Sequence, residues 1–411
     1  MNLVALPEGW RWAPLGEVAE VNPRRRPLDR AQDELTSFVP MDAVDEVHGV
    51  AQPIQRPFGE VKRGYTAFLE NDVLFAKITP CMENGKQAIA TGLIGGVGFG
   101  TTEFHVVRAG PDVTPTWVHR YLRRPVIRQR AAEVFTGAVG QQRVPPDFLR
   151  HLPLPIPPLS EQHRIAHRLD LAMADLTAAR AALERQRADA SRLASAGVEA
   201  ALGGRAIAAA GDPIAAGPGW VPLGEVARLE SGHTPSRRRP EWWGGDVPWI
   251  ALPDIRALDG REALATSEQT NALGLDNSSA RLLPAGTVVL SRTASVGFVT
   301  VMGVPMATSQ DFVNWVPSEG LRPWYLAHAL IAARDYVRGL SEGAIHKTIY
   351  MPTLKGLHIR LLDLDQQDRA LGRIAALQSE LATATGALNR QAAALDALRP
   401  ALLSAAFCGD L

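Results

Sequence analysis

The sequence predicts an α+β protein made of two tandem copies of one unit, each followed by a long helix, with the two helices packed together. Three observations predict it. WAPLGEVA at 12–19 returns as WVPLGEVA at 220–227, with seven of eight letters unchanged. Beyond that phrase the two halves carry matching features in the same order, and each half ends in a long segment with heptad spacing of apolar or small residues. A period of about half the chain far exceeds the ~20 to 50 residues of a solenoid repeat, so the copies are large domains on one plan.

FAKIT at 75–79 answers LSRTA at 290–294, each after a β-type run, which pairs Lys77 with Arg292. TEF at 102–104 answers QDF at 310–312, and Trp117 answers Trp324. GAV at 137–139 matches GAI at 343–345, and PLSEQ at 158–162 matches DLDQQ at 363–367. The domains expected are therefore 1–158, a helix at 159–203, a linker at 204–218, a second domain at 219–362 and a second helix at 363–411.

In the first helix Ile165, Leu169, Ala172, Leu176, Ala179, Leu183, Ala190, Leu193 and Ala200 keep an alternating four-and-three spacing, with Gln186 and Gly197 completing the seam. In the second, Leu377, Leu381, Ala384, Leu388, Leu395, Leu398 and Leu402 do the same around Gln391. Each segment is roughly forty residues, or ~60 Å of helix. Such narrow stripes suit helix pairing, because packing into a globular core calls for a wider one. Ser160 and Asp365 are the expected N-caps, and GGRAIAAAGDPIAAGPG at 203–219 reads as the linker.

Bulk composition bounds the function. At 411 residues the chain exceeds one ordinary core, and no apolar run approaches the ~18 residues of a membrane span. The opening MNLVALPEGWRW has no signal-peptide pattern, so the expected location is the cytoplasm. Cys81 and Cys408 are too few for a disulfide framework or a structural zinc site. Basic and acidic residues balance at 43 each, which predicts weak nucleic-acid binding by the chain alone. Local arginine clusters occur at Arg24, Arg25 and Arg26, at Arg123, Arg124, Arg128 and Arg130, and at Arg237, Arg238 and Arg239.

Certain phrases taken together resemble the specificity subunit of type I restriction-modification systems. They are LPEGW running into WAPLGEVAE, DVLFAKITPCMENGK at 72–86 and PLPIPPLSEQHRIAHRLD at 153–170, then SGHTPSR at 231–237, WWGGDVPWI at 242–250, TVVLSRTASVG at 287–297 and the closing LLSAAFCGDL. The likeness covers nearly the whole chain. It implies two target-recognition domains that each read one part of a split DNA site, and long helices packed as an antiparallel coiled coil that sets their spacing. The implied partners are double-stranded DNA, two methylation subunits and, in the full complex, restriction subunits. No catalysis and no cofactor are implied for this chain, with S-adenosylmethionine, ATP and Mg2+ expected on the partners. The second helical start, LDLDQQDRALGRIA, departs from the family phrase that PPLSEQ keeps intact in the first half.

Lys77 and Arg292 stand where a side chain can leave a rigid strand and enter a groove, to bond guanine O6 and N7 or phosphate. Their equivalence favours DNA contact over an incidental surface charge. Thr79 and Lys86 follow in the first copy, Thr293 and Ser295 in the second, and His233 and Thr234 of SGHTPSR join the set. Asn84 and Gly85 read as a hairpin turn. Two glycine-centred loops supply Gln141, Gln142 and Arg143, and His346, Lys347 and Thr348; these either contact DNA or are solvated loops. The matched triplets Arg24 to Arg26 and Arg237 to Arg239 are candidates for phosphate contact.

Enzyme readings find little support. HRIAH at 163–167 lacks a zincin glutamate, and no phosphate loop occurs, since Gly85-Lys86 is followed by Gln87. Neither Pro-Pro pair carries the Asn- or Asp-Pro-Pro-aromatic loop of an adenine methyltransferase. Asp42, Asp45, Glu60 and Lys62 are the nearest approach to a nuclease site and have no second copy. A DNA-binding module ranks first, a coiled-coil adaptor that reads no sequence second, and a metal-dependent nuclease a distant third.

Overall fold

The structure, a computed structural model, describes residues 5–25, 27–46, 49, 51–138, 141–343 and 347–411. It divides into one unit of Met1–Leu183 with Asn389–Leu411 and a second of Glu184–Leu388. Each unit thus combines the sheets of one half of the sequence with parts of both long helices.

The repeated phrase folds the same way twice. In the first unit the strand Arg11–Pro14 leads through a single helical turn, Leu15–Val18, into the strand Ala19–Val21. In the second, Trp220–Pro222, Leu223–Val226 and Ala227–Ser231 repeat this order. The first of these strands pairs antiparallel with the strand that precedes the long helix, setting Trp12 opposite Pro155 and Trp220 opposite Arg360. The next strand joins the main sheet. In the first unit that sheet runs Ala19–Val21, Phe104–Ala109, Val73–Ala76, Gln87–Ile89, and a second four-stranded sheet is built on Leu35–Val39 and Val97–Gly100. The second unit's main sheet has five strands, with Val288–Ser291 between Phe312–Pro317 and Val299–Met302.

The inner strands Val73–Ala76 and Val288–Ser291 are buried at all four positions. Alternate side chains point to opposite faces of a strand, so each face meets its own core. Val73 and Phe75 pack with Trp117 and Leu122, whereas Leu74 and Ala76 pack with Phe68 and Phe104. Likewise Val288 and Leu290 face Trp315 and Tyr325, and Val289 faces Met302 and Phe312. A strand fixed on both faces is a rigid base for whatever emerges at its end.

The long helices run Leu159–Ala201 and Leu364–Cys408. They pack against each other antiparallel: Arg180 pairs with Asp396 in the first unit, and in the second a Cβ on Gly197 would meet Leu377. The seam departs from a strict heptad. Ile165, Leu169 and Leu183 are buried, but Leu193 is 72% exposed and Leu398 46% exposed. After Leu183 the covered stripe keeps the heptad positions Ala190 and Gly197 but otherwise passes to Ala194, Val198 and Ala201, each one position on from the heptad. A straight 3.6-residue helix drifts about 20° per heptad, so the face advances by one residue position over roughly five heptads.

Both caps also differ from expectation. The first helix begins at Leu159, ahead of Ser160, and the Pro158 carbonyl accepts from Glu161 N at 2.9 Å and Gln162 N at 3.0 Å. The second is capped by Asp363 rather than Asp365: Asp363 Oδ1 accepts from Gln366 N at 2.7 Å, and Gln366 Oε1 accepts from Asp363 N at 3.3 Å. This is a reciprocal capping box.

Gln162 and Gln367, the last letters of PLSEQ and DLDQQ, are both fully buried. Gln162 Oε1 accepts from Thr114 N at 2.8 Å while its Nε2 donates to Asp112 O at 2.8 Å and Pro157 O at 3.0 Å. Gln367 Oε1 accepts from Arg322 N at 2.8 Å, and its Nε2 donates to Gly320 O at 3.0 Å and Leu362 O at 2.8 Å. Each long helix is therefore fastened to its domain by the same amide. The equivalence of Thr114 with Arg322 corrects the match of Trp117 to Trp324. The counterpart of Trp117 is Tyr325: Trp117 Nε1 donates to Pro155 O at 2.8 Å, and Tyr325 OH donates to Arg360 O at 2.8 Å.

The stretch expected as a linker is ordered. Ile207–Ala209 pairs antiparallel with Leu357–Arg360, and Ile207 and Ala208 are fully buried. An apolar triplet beside an open sheet edge gains both burial and ladder hydrogen bonds by pairing. The Asn84-Gly85 hairpin is also revised. Val73–Ala76 and Gln87–Ile89 are antiparallel neighbours, but the long connection between them holds local turns in which Met82 N bonds Ile78 O and Gly85 N bonds Met82 O. Only Gly85, at φ 84°, keeps the expected left-handed turn position.

Candidate nucleic-acid interface

In the first unit Lys77 follows directly on the doubly buried strand. Its N–H donates to Glu103 O at 2.9 Å and its carbonyl accepts from Val144 N at 2.9 Å. Thr79 N donates to Gln142 O at 3.0 Å, and Ile78 bridges Arg143. The strand-end residues and the glycine-centred loop, whose bonded pairs are 63 or more residues apart in sequence, are thus laced into one surface. Arg143 closes it with a two-pronged pair to Glu103, at 2.9 and 2.8 Å, and with a bond to Gln141 O at 2.9 Å. The hydrogen bonds from Arg143 hold the Glu103 carboxyl below its ordinary value. Lys77 and Thr79 are half-buried and Gln141 is exposed. The Lys77 charge acts on the neighbouring Glu103 carboxyl, helping to lower it, while Thr79 Oγ1 donates to Glu83.

The second unit repeats this lacing. Arg292 N donates to Asp311 O at 2.8 Å, and Arg292 O accepts from Ile349 N at 2.9 Å. Ala294 N donates to Lys347 O at 3.2 Å, and Thr293 bridges Thr348 with their hydroxyls 3.5 Å apart. Ala294 adopts φ 58°, a left-handed conformation that costs a residue other than glycine roughly 1–2 kcal/mol. Here the loop partner is the uncharged Thr348 where the first unit has Arg143. Arg292 Nε donates to Gln310 O at 3.2 Å, and Gln310 Oε1 accepts from Thr234 Oγ1 at 2.5 Å. Exposed His233 is held next to it, its N–H bonded to Thr308 O at 2.9 Å and its carbonyl to Trp249 Nε1 at 3.2 Å. SGHTPSR and SRTAS, separate in sequence, meet at this surface.

The remaining candidates fall elsewhere. Lys86 donates to Met41 O at 3.1 Å and lies 3.9 Å from Glu46, a structural position. Ser295 is buried, and its hydroxyl accepts from Arg256 at 3.0 and 2.5 Å. Arg237 stacks over Trp243 at 3.9 Å and Trp249 at 5.0 Å and is held in a two-pronged pair by Glu268 at 2.7 and 2.5 Å, so its charge is matched. Arg239 lies 3.7 Å from Glu241, and Arg238 is exposed. Arg25 caps Lys62 O and lies 5.1 Å over Phe99; with Arg24, Arg108 and Arg150 it lines a cleft of about 600 Å³. Arg26 and His346 lie outside the described residues.

Glu103, Asp311, Gln310 and the Trp243–Trp249 pair were missed as site residues from sequence. The signal for the first three was present in the TEF and QDF match, which aligns the two acids and places Gln310 beside one of them.

An α+β chain of two matching units, each fastened to paired long helices and each setting a strand-end cation beside a laced polar loop, is a duplicated two-site protein. Residues 7–185 and 219–390 match the family described as type I restriction modification DNA specificity domain, and the chain belongs to that family. Among relatives, it is 42% identical over 162 residues to the type I restriction enzyme EcoEI specificity subunit of Escherichia coli, covering 39% of this chain and 27% of that protein. The EcoAI specificity subunit of the same organism is 40% identical over 166 residues, again 39% and 27%. These matches span about a quarter of the relatives' length. A solved chain from work on complex assembly and conformational transition of the type I R-M system superimposes over 100% of both chains with TM-score 0.78 and 21% identity. The HsdS subunit from Thermoanaerobacter tengcongensis gives 0.66 at 23% identity, over 100% of this chain and 99% of the other. At such identities the likeness is one of fold.

Proposed function

We propose that this chain is the DNA-reading subunit of a type I restriction-modification complex, each half reading one part of a split site. The observation that carries it is the twofold lacing: Lys77 and Arg292 leave equivalent rigid strands, each held by a backbone bond to an acid and another to a loop. A lysine or arginine so placed can donate to guanine or phosphate, and the loop amides and hydroxyls of Gln141, Gln142, Thr293 and Thr348 can bond base edges. Thr79, His233, Thr234 and Lys347 complete the reading surfaces, with Arg24, Arg25 and Arg238 on phosphate; Arg143 and Arg237 act by shaping those surfaces. Lys86 and Ser295 belong to the scaffold.

In this reading the chain itself performs no chemistry. Two methylation subunits, and restriction subunits in the full complex, supply adenine methylation and cleavage together with S-adenosylmethionine, ATP and Mg2+. The described residues contain no helix long and apolar enough to cross a membrane, and a cytoplasmic complex is proposed. No group of three or more potential metal ligands occurs among the described residues.

The test is selection of fragmented genomic DNA by the chain assembled with its methylation subunits. The proposal expects one bipartite sequence to be enriched and its adenines methylated. Uniform retention of all fragments would leave the adaptor reading in its place.

A further inference from the structure

The turn beside each strand-end cation is built the same way in both units and differs at its tip. In the first unit Phe104 N donates to Thr101 O at 3.3 Å and Glu103 N to Thr101 Oγ1 at 3.2 Å. In the second, Phe312 N donates to Ser309 O at 3.3 Å and Asp311 N to Ser309 Oγ at 3.2 Å. Buried Phe104 or Phe312 anchors the turn, and the carbonyl of its acid holds Lys77 N or Arg292 N. The residue left at the tip, exposed in both units, is Thr102 in one and Gln310 in the other. A constant backbone that carries a different polar side chain in each copy is what two halves reading different bases require.

Gln310 is held on the reading surface from two sides. Its carbonyl accepts from Arg292 Nε at 3.2 Å, and its side-chain Oε1 accepts from Thr234 Oγ1 at 2.5 Å. Thr234 is steadied in turn by its neighbour His233, whose N–H bonds Thr308 O and whose carbonyl bonds Trp249 Nε1. A glutamine ordered before DNA arrives loses less side-chain entropy on binding than a free one. Neither Thr234 nor Arg292 uses the amide Nε2, and Oε1 keeps a second lone pair.

We propose that Gln310 reads an adenine in the half-site bound by the second unit. This assignment rests on the DNA-reading role proposed above. A glutamine amide sets a donor and an acceptor side by side. In the major groove adenine alone offers the complement on one base, an N7 acceptor next to an N6 donor. Guanine shows two acceptors, cytosine one donor, and thymine one acceptor beside its methyl, so each satisfies one end of the amide at most. Arg292 fixes the backbone from which Gln310 projects, and Thr234 is a positioning residue that sets the direction of the amide. The single hydroxyl of Thr102 makes no such two-point pair, so the same turn gives the first unit no matching demand for adenine.

The experiment is selection from a randomised duplex pool by the chain assembled with its methylation subunits, comparing the parent with Gln310→Ala, Gln310→Glu and Thr234→Val. Gln310→Ala is expected to lower the enrichment of adenine at one position, in one half of the consensus, about tenfold. Gln310→Glu has no donor, and its preference at that position is expected to move to cytosine, whose N4 donates to a carboxylate. Thr234→Val is expected to weaken the adenine preference at the same position without creating a new one, because the amide stays in place but loses its guide. Since Gln310 is exposed, melting curves of its variants are expected to match the parent. A bipartite consensus that both Gln310 variants leave unchanged, or a change at a base other than adenine, overturns this assignment and leaves the reading role standing. A parent complex that enriches no sequence overturns the reading role, and the assignment with it.

Discussion

Lys77 and Arg292 occupy the same place in two differently sequenced sheets: each gives its N–H to the carbonyl of an acidic residue, Glu103 or Asp311, and takes an N–H from the loop residue Val144 or Ile349. The side chains differ in length and fork geometry while the backbone frame is held constant. That is how one scaffold presents two chemistries, since a lysine offers a point charge and an arginine a planar pair of donors.

The fastening amides should matter to stability more than to recognition. Gln162→Leu and Gln367→Leu each leave a buried N–H and two carbonyls without partners, and each is expected to cost ~1–3 kcal/mol or more in urea unfolding. A change below about 0.5 kcal/mol, typical of surface substitutions, would show that the amide bonds do not fasten the helices.

Much of this was legible in the sequence and some was not. PLGEVA, the strand-end cations and the terminal glutamines repeat as words, because each depends on a local fragment meeting a fixed neighbour. Tyr325 did not look like the partner of Trp117, because an indole N–H and a phenol O–H can serve the same carbonyl position while sharing few letters. The Arg143–Glu103 pair and the Thr234–Gln310 bond join residues far apart in the chain, so spacing could not reveal them. Ile207–Ala209 looked like linker because its strand partner, Leu357–Arg360, lies far downstream.

The slipped helix seam gives a sharper expectation than the heptad did. Leu193→Gln, at an exposed position, should change stability by no more than about 0.5 kcal/mol. Gly197→Leu drives a side chain into Leu377 and should cost ~1–3 kcal/mol. Thermal melts in which Leu193→Gln is the more damaging change would restore the strict heptad.

Burial, then the charges of Arg123 and Arg120, push the His119 imidazole down to about 3. Below about pH 6.5 the unfolded chain takes up a proton that the folded unit refuses, so the stability from neutral His119 is complete above that pH and declines as pH falls toward 3. The slope is up to ~1.4 kcal/mol per pH unit. Buried His105 is also lowered and acts in the same direction, so the contribution of His119 is read as a difference. Between pH 6.5 and 5, His119→Gln should flatten the pH dependence of unfolding, and equal slopes in variant and parent would contradict it.

The most direct test of two-part reading is selection from a randomised duplex pool by the assembled complex, using the parent chain, Lys77→Ala and Arg292→Ala. A lost base contact should cost about 1–3 kcal/mol. The expected result is a bipartite consensus in which each variant relaxes its preference in one half-site only, a different half for each. An unchanged consensus in both variants, or the same half relaxed in both, would contradict it.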